Sequence, residues 1–374
     1  MAHDGRGASE GACAVIAEHI RKEIIEGSLV SCGDYLPWQV LFQKKKLTVG
    51  FMGGSITEGY AQYQVYETAY PRMFMQGLAA QGYDTEMLLC ASAGMDTMQG
   101  NILSQHEIID KSPDLVFLEY AINETTLRHS VLSFESLLRK LLDQEHPPIV
   151  CILIVRTKAG YSCESFMRPI AEHYGLPCVC LPSGISAPLA EERLAWEEYA
   201  DAESHPTPDG HHLLAECLLY LIEKARECKE SKPFNLPEPW LDAPFEHLQW
   251  LGMQETDGLL TNFAIESRTG GYYPTIWKGT APDGEWVLEI EARAIVLVFE
   301  AHRLPEYGSA KVLVDGKEVT HPLVNQSIIH GNSIYGWGNA MPLVVLDEET
   351  PRLHRITLNV IEQNFYLYGV GIVP

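Results

Sequence analysis

Leu47-Thr48-Val49-Gly50-Phe51-Met52-Gly53-Gly54-Ser55-Ile56-Thr57-Glu58-Gly59 is the stretch that decides how the first half of this chain folds. Its opening residues run without a charge into two glycines and a serine. An uninterrupted run of this kind suits a strand buried on both faces, and paired glycines permit a sharp turn from strand into helix. Such a turn leaves the Ser55 hydroxyl exposed and its amide free to donate. The competing reading is a serine N-cap behind flexible glycine.

The same alternation continues outward. Apolar runs at 47–52, 87–91, 115–120, 149–155 and 177–181 are separated by segments 70–81, 99–110, 132–143 and 165–174. Apolar residues in those segments recur at three- and four-residue spacing, the period of a half-buried helix. A closing helix is predicted over 211–228, with Leu213, Leu214, Cys217, Leu218, Leu221 and Ile222 along one stripe. Strands alternating with helices in this way predict a parallel sheet covered on both faces over residues 47–228. Pro233, Pro237, Pro239 and Pro244 mark a linker at 229–244. Beyond it helical periodicity stops. Short strands at 286–290, 294–299, 310–314, 343–346, 354–360 and 365–372, with a hairpin turn at Asp315-Gly316, predict an all-β sandwich of jelly-roll type over 245–374. Residues 1–46 form an N-terminal extension with a helix near 10–26 and a Pro37-Trp38 segment able to pack on either domain.

Composition narrows the partners. The chain has 374 residues, with 27 Lys and Arg against 50 Asp and Glu and a formal net charge of −23. That charge repels a phosphate backbone, and only Lys44-Lys45-Lys46 offers a basic run, so neither nucleic acid nor an anionic membrane is an expected partner. No apolar run approaches a membrane span. Ala12 to Ile20 does not read as a signal peptide, because Glu18 and His19 interrupt it. The nine cysteines, from Cys13 to Cys228, are odd in number and scattered, which fits a reducing cytoplasm. The sequence leaves the oligomeric state open.

The candidate chemistry sits where open α/β sheets place their sites, at the ends of the parallel strands. Ser55 is the candidate nucleophile. His205, in Ser204-His205-Pro206-Thr207, lies on a constrained loop before the closing helix, a position suited to a general base. Gly94 follows the second strand and lets a backbone amide approach a substrate oxygen. Asn123 follows the third and could donate to a developing oxyanion. Each has a plain alternative: a surface histidine, a turn glycine, an N-cap asparagine. Their order along one domain favours the chemical reading. A zinc site from His205, Asp209, His211 and His212 is disfavoured by its spacing, and Cys178-x-Cys180 reads as two buried strand thiols.

Gly53-Gly54-Ser55-Ile56-Thr57, Gly94, Asn123 and His205-Pro206-Thr207-x-x-Gly210-His211 resemble the four blocks of the SGNH, or GDSL-type, hydrolase superfamily. The resemblance covers about half the chain. It implies a three-layer α/β/α, flavodoxin-like fold, Ser55 as nucleophile and His205 as base. The Ser55 amide, the Gly94 amide and the Asn123 side chain would form the oxyanion hole, and no metal or organic cofactor is called for. Gly54 stands where the family has Asp, and Glu124 where it has Asp. The third triad member normally precedes His by three residues, where this chain has Ala202. Asp201 is favoured instead, reached through a one-residue bulge, with Glu203 as second choice and a Ser–His dyad also open.

A hydrolase domain joined to a β-sandwich is similar to carbohydrate esterases that remove O-acetyl groups from xylan or mannan, and the sandwich resembles carbohydrate-binding modules. The expected partner is then an acetylated oligosaccharide, with Tyr335 and Trp337 in Tyr335-Gly336-Trp337-Gly338-Asn339 as candidate sugar contacts. The rival readings are a general short-chain esterase or lysophospholipase-like acylhydrolase, an acyltransferase, and a carbohydrate-binding protein with a vestigial hydrolase domain.

Overall fold

The computed structural model describes residues 15–33, 36–59, 66–252, 255–256, 258–269, 271–320, 326–333 and 336–374. In chain order the first part contains α1 (Glu18–Ser28), β1 (Leu29–Ser31), α2 (Trp38–Phe42), β2 (Lys46–Gly53), α3 (Ser55–Glu58), α4 (Tyr70–Ala80), β3 (Asp84–Ala91) and α5 (Thr97–Glu107). It continues with β4 (Leu115–Glu119), α6 (Arg128–Leu142), β5 (Ile149–Ile154), α7 (Glu164–His173), β6 (Cys178–Cys180), α8 (Leu181–Ala190), α9 (Trp196–Tyr199) and α10 (Pro208–Ala225).

These strands form one sheet in the order β1-β6-β5-β4-β2-β3. From β3 to β6 all pairings are parallel, so the five parallel strands follow the doubly wound order 2-1-3-4-5. The chain leaves β2 toward β3 on one side and returns to β4 on the other. That reversal opens a crevice at the carboxyl ends of β2 and β4. The expectation of a purely parallel sheet is corrected at one edge, where β1 pairs antiparallel with β6. The apolar pattern could not announce a three-residue strand that follows a helix without a break. The segment around Trp38 packs on this same domain: its ring is buried and donates to the Cys32 carbonyl at 2.8 Å.

The second part adds β7 (Gln249–Leu251), β8 (Leu259–Thr261), β9 (Phe263–Ser267), β10 (Thr275–Gly279), β11 (Glu285–His302), β12 (Ser309–Val314), β13 (Lys317–Glu318), β14 (Ile328–His330), β15 (Trp337–Glu362) and β16 (Tyr366–Val373). They curl as a single antiparallel sheet into the sandwich. Two pairs of expected strands prove to be continuous: 286–290 with 294–299 in β11, and 343–346 with 354–360 in β15. What looked like breaks are register shifts at Ala292/Ala294 and Ile295/Val296, opposite the polar stretch 348–351. Bulges of this kind bend a strand without ending it.

Strand β11 also explains how the two halves meet. Its run Ala294-Ile295-Val296-Leu297-Val298-Phe299 is buried at every position. Successive side chains of a strand point to opposite faces. Ile295, Leu297 and Phe299 join the sandwich core with the paired rings of Trp277 and Trp286, whose centroids lie 5.5 Å apart. Ala294, Val296 and Val298 join the core of the α/β half.

Polar bolts reinforce this joint. Lys140 on α6 is buried, which pulls its pKa down to about 8, and its Nζ donates to the carbonyls of Asn101 at 3.1 Å and Leu248 at 2.8 Å. Glu135, one turn and a half earlier, straps the end of the proline-rich segment. It accepts from the Tyr174 hydroxyl at 2.7 Å, from the backbone N–H groups of Leu241 at 3.0 Å and Asp242 at 3.3 Å, and from that of Trp240. Replacing this carboxylate removes the acceptor of the buried Tyr174 hydroxyl and of three part-buried backbone N–H groups at once. Glu135→Ala should therefore lower stability by about 3 kcal/mol, read as a shift of the urea unfolding midpoint.

Candidate active site

Strand β2 ends at Gly53 and the chain turns at once into α3, which begins at Ser55. Close approach forces the residue type at the turn. A Cβ built on Gly54 would lie 2.0 Å from Asn123 Nδ2, so any side chain at this position has to displace the Asn123 amide. Ser55 itself is 8% exposed, and its Oγ lies 3.0 Å from His205 Nε2. On the far side of the ring, His205 Nδ1 lies 3.1 Å from Asp201 Oδ2. With Nδ1 donating to the carboxylate, Nε2 is left to accept the serine proton.

Asp201 holds its place through its own loop. Its Oδ1 accepts the backbone N–H groups of Glu203 at 2.9 Å, Ser204 at 2.9 Å and His205 at 3.0 Å. Its N–H donates to the His205 carbonyl at 2.9 Å, and Ala200 pairs with Pro206 to close the loop. Burial pushes the Asp201 carboxyl up, but the three N–H groups and the His205 ring outweigh it and hold the pKa below the usual aspartate value. The carboxylate facing His205 is thus that of Asp201. The residues involved at Glu203 are its backbone groups, the carbonyl accepting from Lys158 N–H at 2.7 Å. Thr207 then caps α10 by accepting from Gly210 N–H at 3.0 Å, with Pro208 at the first helical position.

Asn123 follows β4 and reaches across the crevice. Its Nδ2 donates to the Met95 carbonyl at 2.8 Å while lying over Gly54, so the same group touches the loops after β2 and β3. Gly94 stands at φ +76° in the second of these loops. Ser55, His205, Asp201 and Asn123 are therefore brought together, with the Gly94 loop tied to them through Asn123. Tyr335 and the side chain of Trp337 lie outside the described residues; Trp337 contributes the first backbone position of β15.

The side chains of the zinc alternative are engaged with other partners. Asp209 pairs with Arg21, His211 Nδ1 accepts the Tyr70 N–H at 3.3 Å, and His212 faces Glu216 at 3.7 Å. Burial drives the His211 pKa down to about 3, which keeps its ring neutral. Cys178 and Cys180 are buried thiols whose pKa values burial raises.

Several neighbours escaped the sequence reading. Glu119, the last residue of β4, is buried beneath α3 and accepts from Thr57 Oγ1 at 2.9 Å, which in turn meets the Tyr70 hydroxyl at 2.9 Å. A charged residue ending an otherwise apolar strand was the available signal. Asp96 caps α5 by accepting from Gln99 N–H at 2.8 Å. Burial and the neighbouring Glu124 both raise its pKa. Behind Asn123 a cavity of about 220 Å³ is lined by Gly94, Asp96, Glu124 and Ser133 on one wall and by Met341, Pro342 and Leu343 of β15 on the other. The Ser133 hydroxyl in it is buried and lacks a hydrogen-bond partner among the described residues.

A serine whose hydroxyl meets an oriented imidazole, at the switch point of a doubly wound sheet, defines a serine-type hydrolase of carboxylic esters. Residues 51–213 match the GDSL-like lipase/acylhydrolase family. In overall fold the chain is similar to the crystal structure of a two-domain esterase active on acetylated mannans: TM-score 0.83 and 20% identity over 94% of this chain and 99% of that one. The form of a two-domain esterase co-crystallised with mannopentaose gives TM-score 0.83 and 21% identity over 94% and 98%. No curated protein matches the sequence.

Two predictions follow from the buried groups. Burial raises the Glu119 pKa to about 8, so the folded state holds a proton that the unfolded chain releases near the ordinary glutamate value of 4.5. Stability must then fall as pH rises through that window, by up to about 1.4 kcal/mol per pH unit from this group. Glu119→Gln should flatten the decline of melting temperature between pH 5 and pH 8, measured by calorimetry. Gly54→Ala should cut kcat on an aryl acetate by about a hundredfold, because its methyl displaces Asn123; kinetics on the folded variant check it.

Proposed function

We propose that this chain is a carbohydrate O-acetylesterase, removing acetyl groups from mannan- or xylan-derived oligosaccharides through an acyl-enzyme on Ser55. The observation that carries the reading is the unbroken chain from Ser55 Oγ through His205 to Asp201, at 3.0 Å and 3.1 Å. His205 takes the serine proton as Oγ attacks the ester carbonyl, and Asp201 stabilises the imidazolium that forms. The oxyanion is received by the Ser55 and Gly94 amides and the second N–H of Asn123. His205 returns its proton to the departing sugar hydroxyl, then activates the water that releases acetate.

The sugar assignment is supported by likeness in fold to an esterase active on acetylated mannans and by the cavity behind Asn123. One wall of that cavity offers carboxyls and a hydroxyl, the other apolar side chains, a division that suits the polar edge and apolar face of a pyranose ring. We assign the protein to a reducing cytoplasm, a reading supported by the buried free thiols of Cys90, Cys151, Cys178, Cys180 and Cys217.

Incubation with acetylated manno- and xylo-oligosaccharides, followed by mass spectrometry, tests the assignment. Stepwise loss of acetyl mass is expected with the wild type and not with Ser55→Ala. Hydrolysis of a simple aryl acetate without deacetylation of either sugar would remove the carbohydrate reading and leave a general short-chain esterase. For the triad, Asp201→Asn should lower kcat by about a thousandfold or more, and Glu203→Gln by less than about twofold.

A further inference from the structure

The loop that carries Gly94 is held from the other domain. Tyr272, between β9 and β10, accepts the Ala91 N–H on its hydroxyl at 2.8 Å, and that hydroxyl lies 3.2 Å from the Ala91 carbonyl oxygen. Asn339, on β15, donates from Nδ2 to the Ala93 carbonyl at 2.9 Å, across 246 residues of sequence. The Met95 N–H donates to the Ser92 carbonyl at 2.9 Å, closing a four-residue turn over 92–95. Gly94 occupies its third position at φ +76°, as a type II turn requires.

Turns of type I and type II differ chiefly by a flip of the central peptide, here the one joining Ala93 to Gly94. That unit is planar and trans, so its C=O and N–H point in opposite directions. Whatever fixes the Ala93 carbonyl therefore fixes the Gly94 amide. Glycine makes the flip cheap, since it occupies either sign of φ with little penalty. A donor on the carbonyl oxygen also polarises the peptide and strengthens the N–H at its other end. The contact is close: a Cβ on Gly94 would lie 2.1 Å from Asn339 Nδ2.

We propose that Asn339 is a positioning residue for catalysis, locking the Ala93–Gly94 peptide in the orientation that turns the Gly94 N–H to the oxyanion. The inference rests on the esterase reading above, in which Gly94 is an oxyanion donor. It makes the sandwich a working part of the catalytic centre, because the lock is supplied by a β15 side chain.

The test uses full-length protein, an aryl acetate and a trifluoromethyl ketone that forms a tetrahedral adduct with the serine. Asn339→Ala should lower kcat about ten- to a hundredfold with KM changed less than about threefold, and should weaken the ketone by a similar factor. Asn339→Asp keeps the shape but loses the amide donor, and at pH 8 it should be at least as impaired. A packing role would instead leave the Asp variant close to wild type. Unchanged kcat and ketone affinity in both variants would overturn the proposal, as would a loss confined to KM. If the Ala variant fails to fold, by circular dichroism and melting temperature, the Asp variant decides alone. Ser55→Ala and Asn123→Ala, run alongside, separate the two levels: their collapse with intact Asn339 variants discards only the lock, while an active Ser55→Ala discards the esterase reading itself.

Discussion

Burial of one strand on both of its faces is the constraint on which the rest of this molecule depends. Along β11 the odd-numbered residues Ile295, Leu297 and Phe299 fill the sandwich, and the even-numbered Ala294, Val296 and Val298 fill the seam with the α/β half. Neither set can be exposed without opening apolar surface to water. The two halves are thereby fixed in one relative placement, and β15, paired to β11 over most of its length, is carried to the mouth of the crevice. Lys140 then satisfies two carbonyls that such a seam buries, and Glu135 holds the end of the proline-rich segment beside it.

Electrostatics around the site is divided by depth. Asp201 lies part-exposed among N–H donors and stays readily ionised, as a partner for an imidazolium must. Glu119, Asp96 and Glu124 lie deeper, where burial raises their pKa values and favours the protonated form. In the proposed mechanism the outer carboxylate supplies charge to the reaction. The inner three accept hydrogen bonds from Thr57 of α3 and from Thr97 and Gln99 of α5.

Much of this could be read from the residues. The strands at 47–52, 87–91, 115–120 and 149–155 were legible because both faces of a parallel sheet are apolar, and β2, β3, β4 and β5 lie over them. Ser55, Asn123 and His205 were legible because each sits where a strand or helix boundary puts a polar side chain into the crevice. The antiparallel edge β1 was not, since three residues carry no period. The length of β11 and β15 was hidden because bulged residues break the alternation while the backbone continues. Asn339 was beyond any local pattern: its partner is 246 residues away, and only the docking of the sandwich brings them together. The run at 294–299 did hold a clue to that docking, since a strand in a solvated sheet would alternate and this one does not.

The loop that holds Asp201 has a consequence for how such chains diverge. Its carboxylate is anchored by the backbone N–H groups of three successive residues and not by their side chains. Main-chain donors survive almost any substitution, so positions 202 and 203 are free to drift in identity while the acid keeps its station. The spacing between acid and histidine is then a property of how tightly the loop is wound, and can change by one residue without loss of the charge beneath the ring. A pattern written around an acid at exactly three residues before the histidine would pass over every chain wound this way.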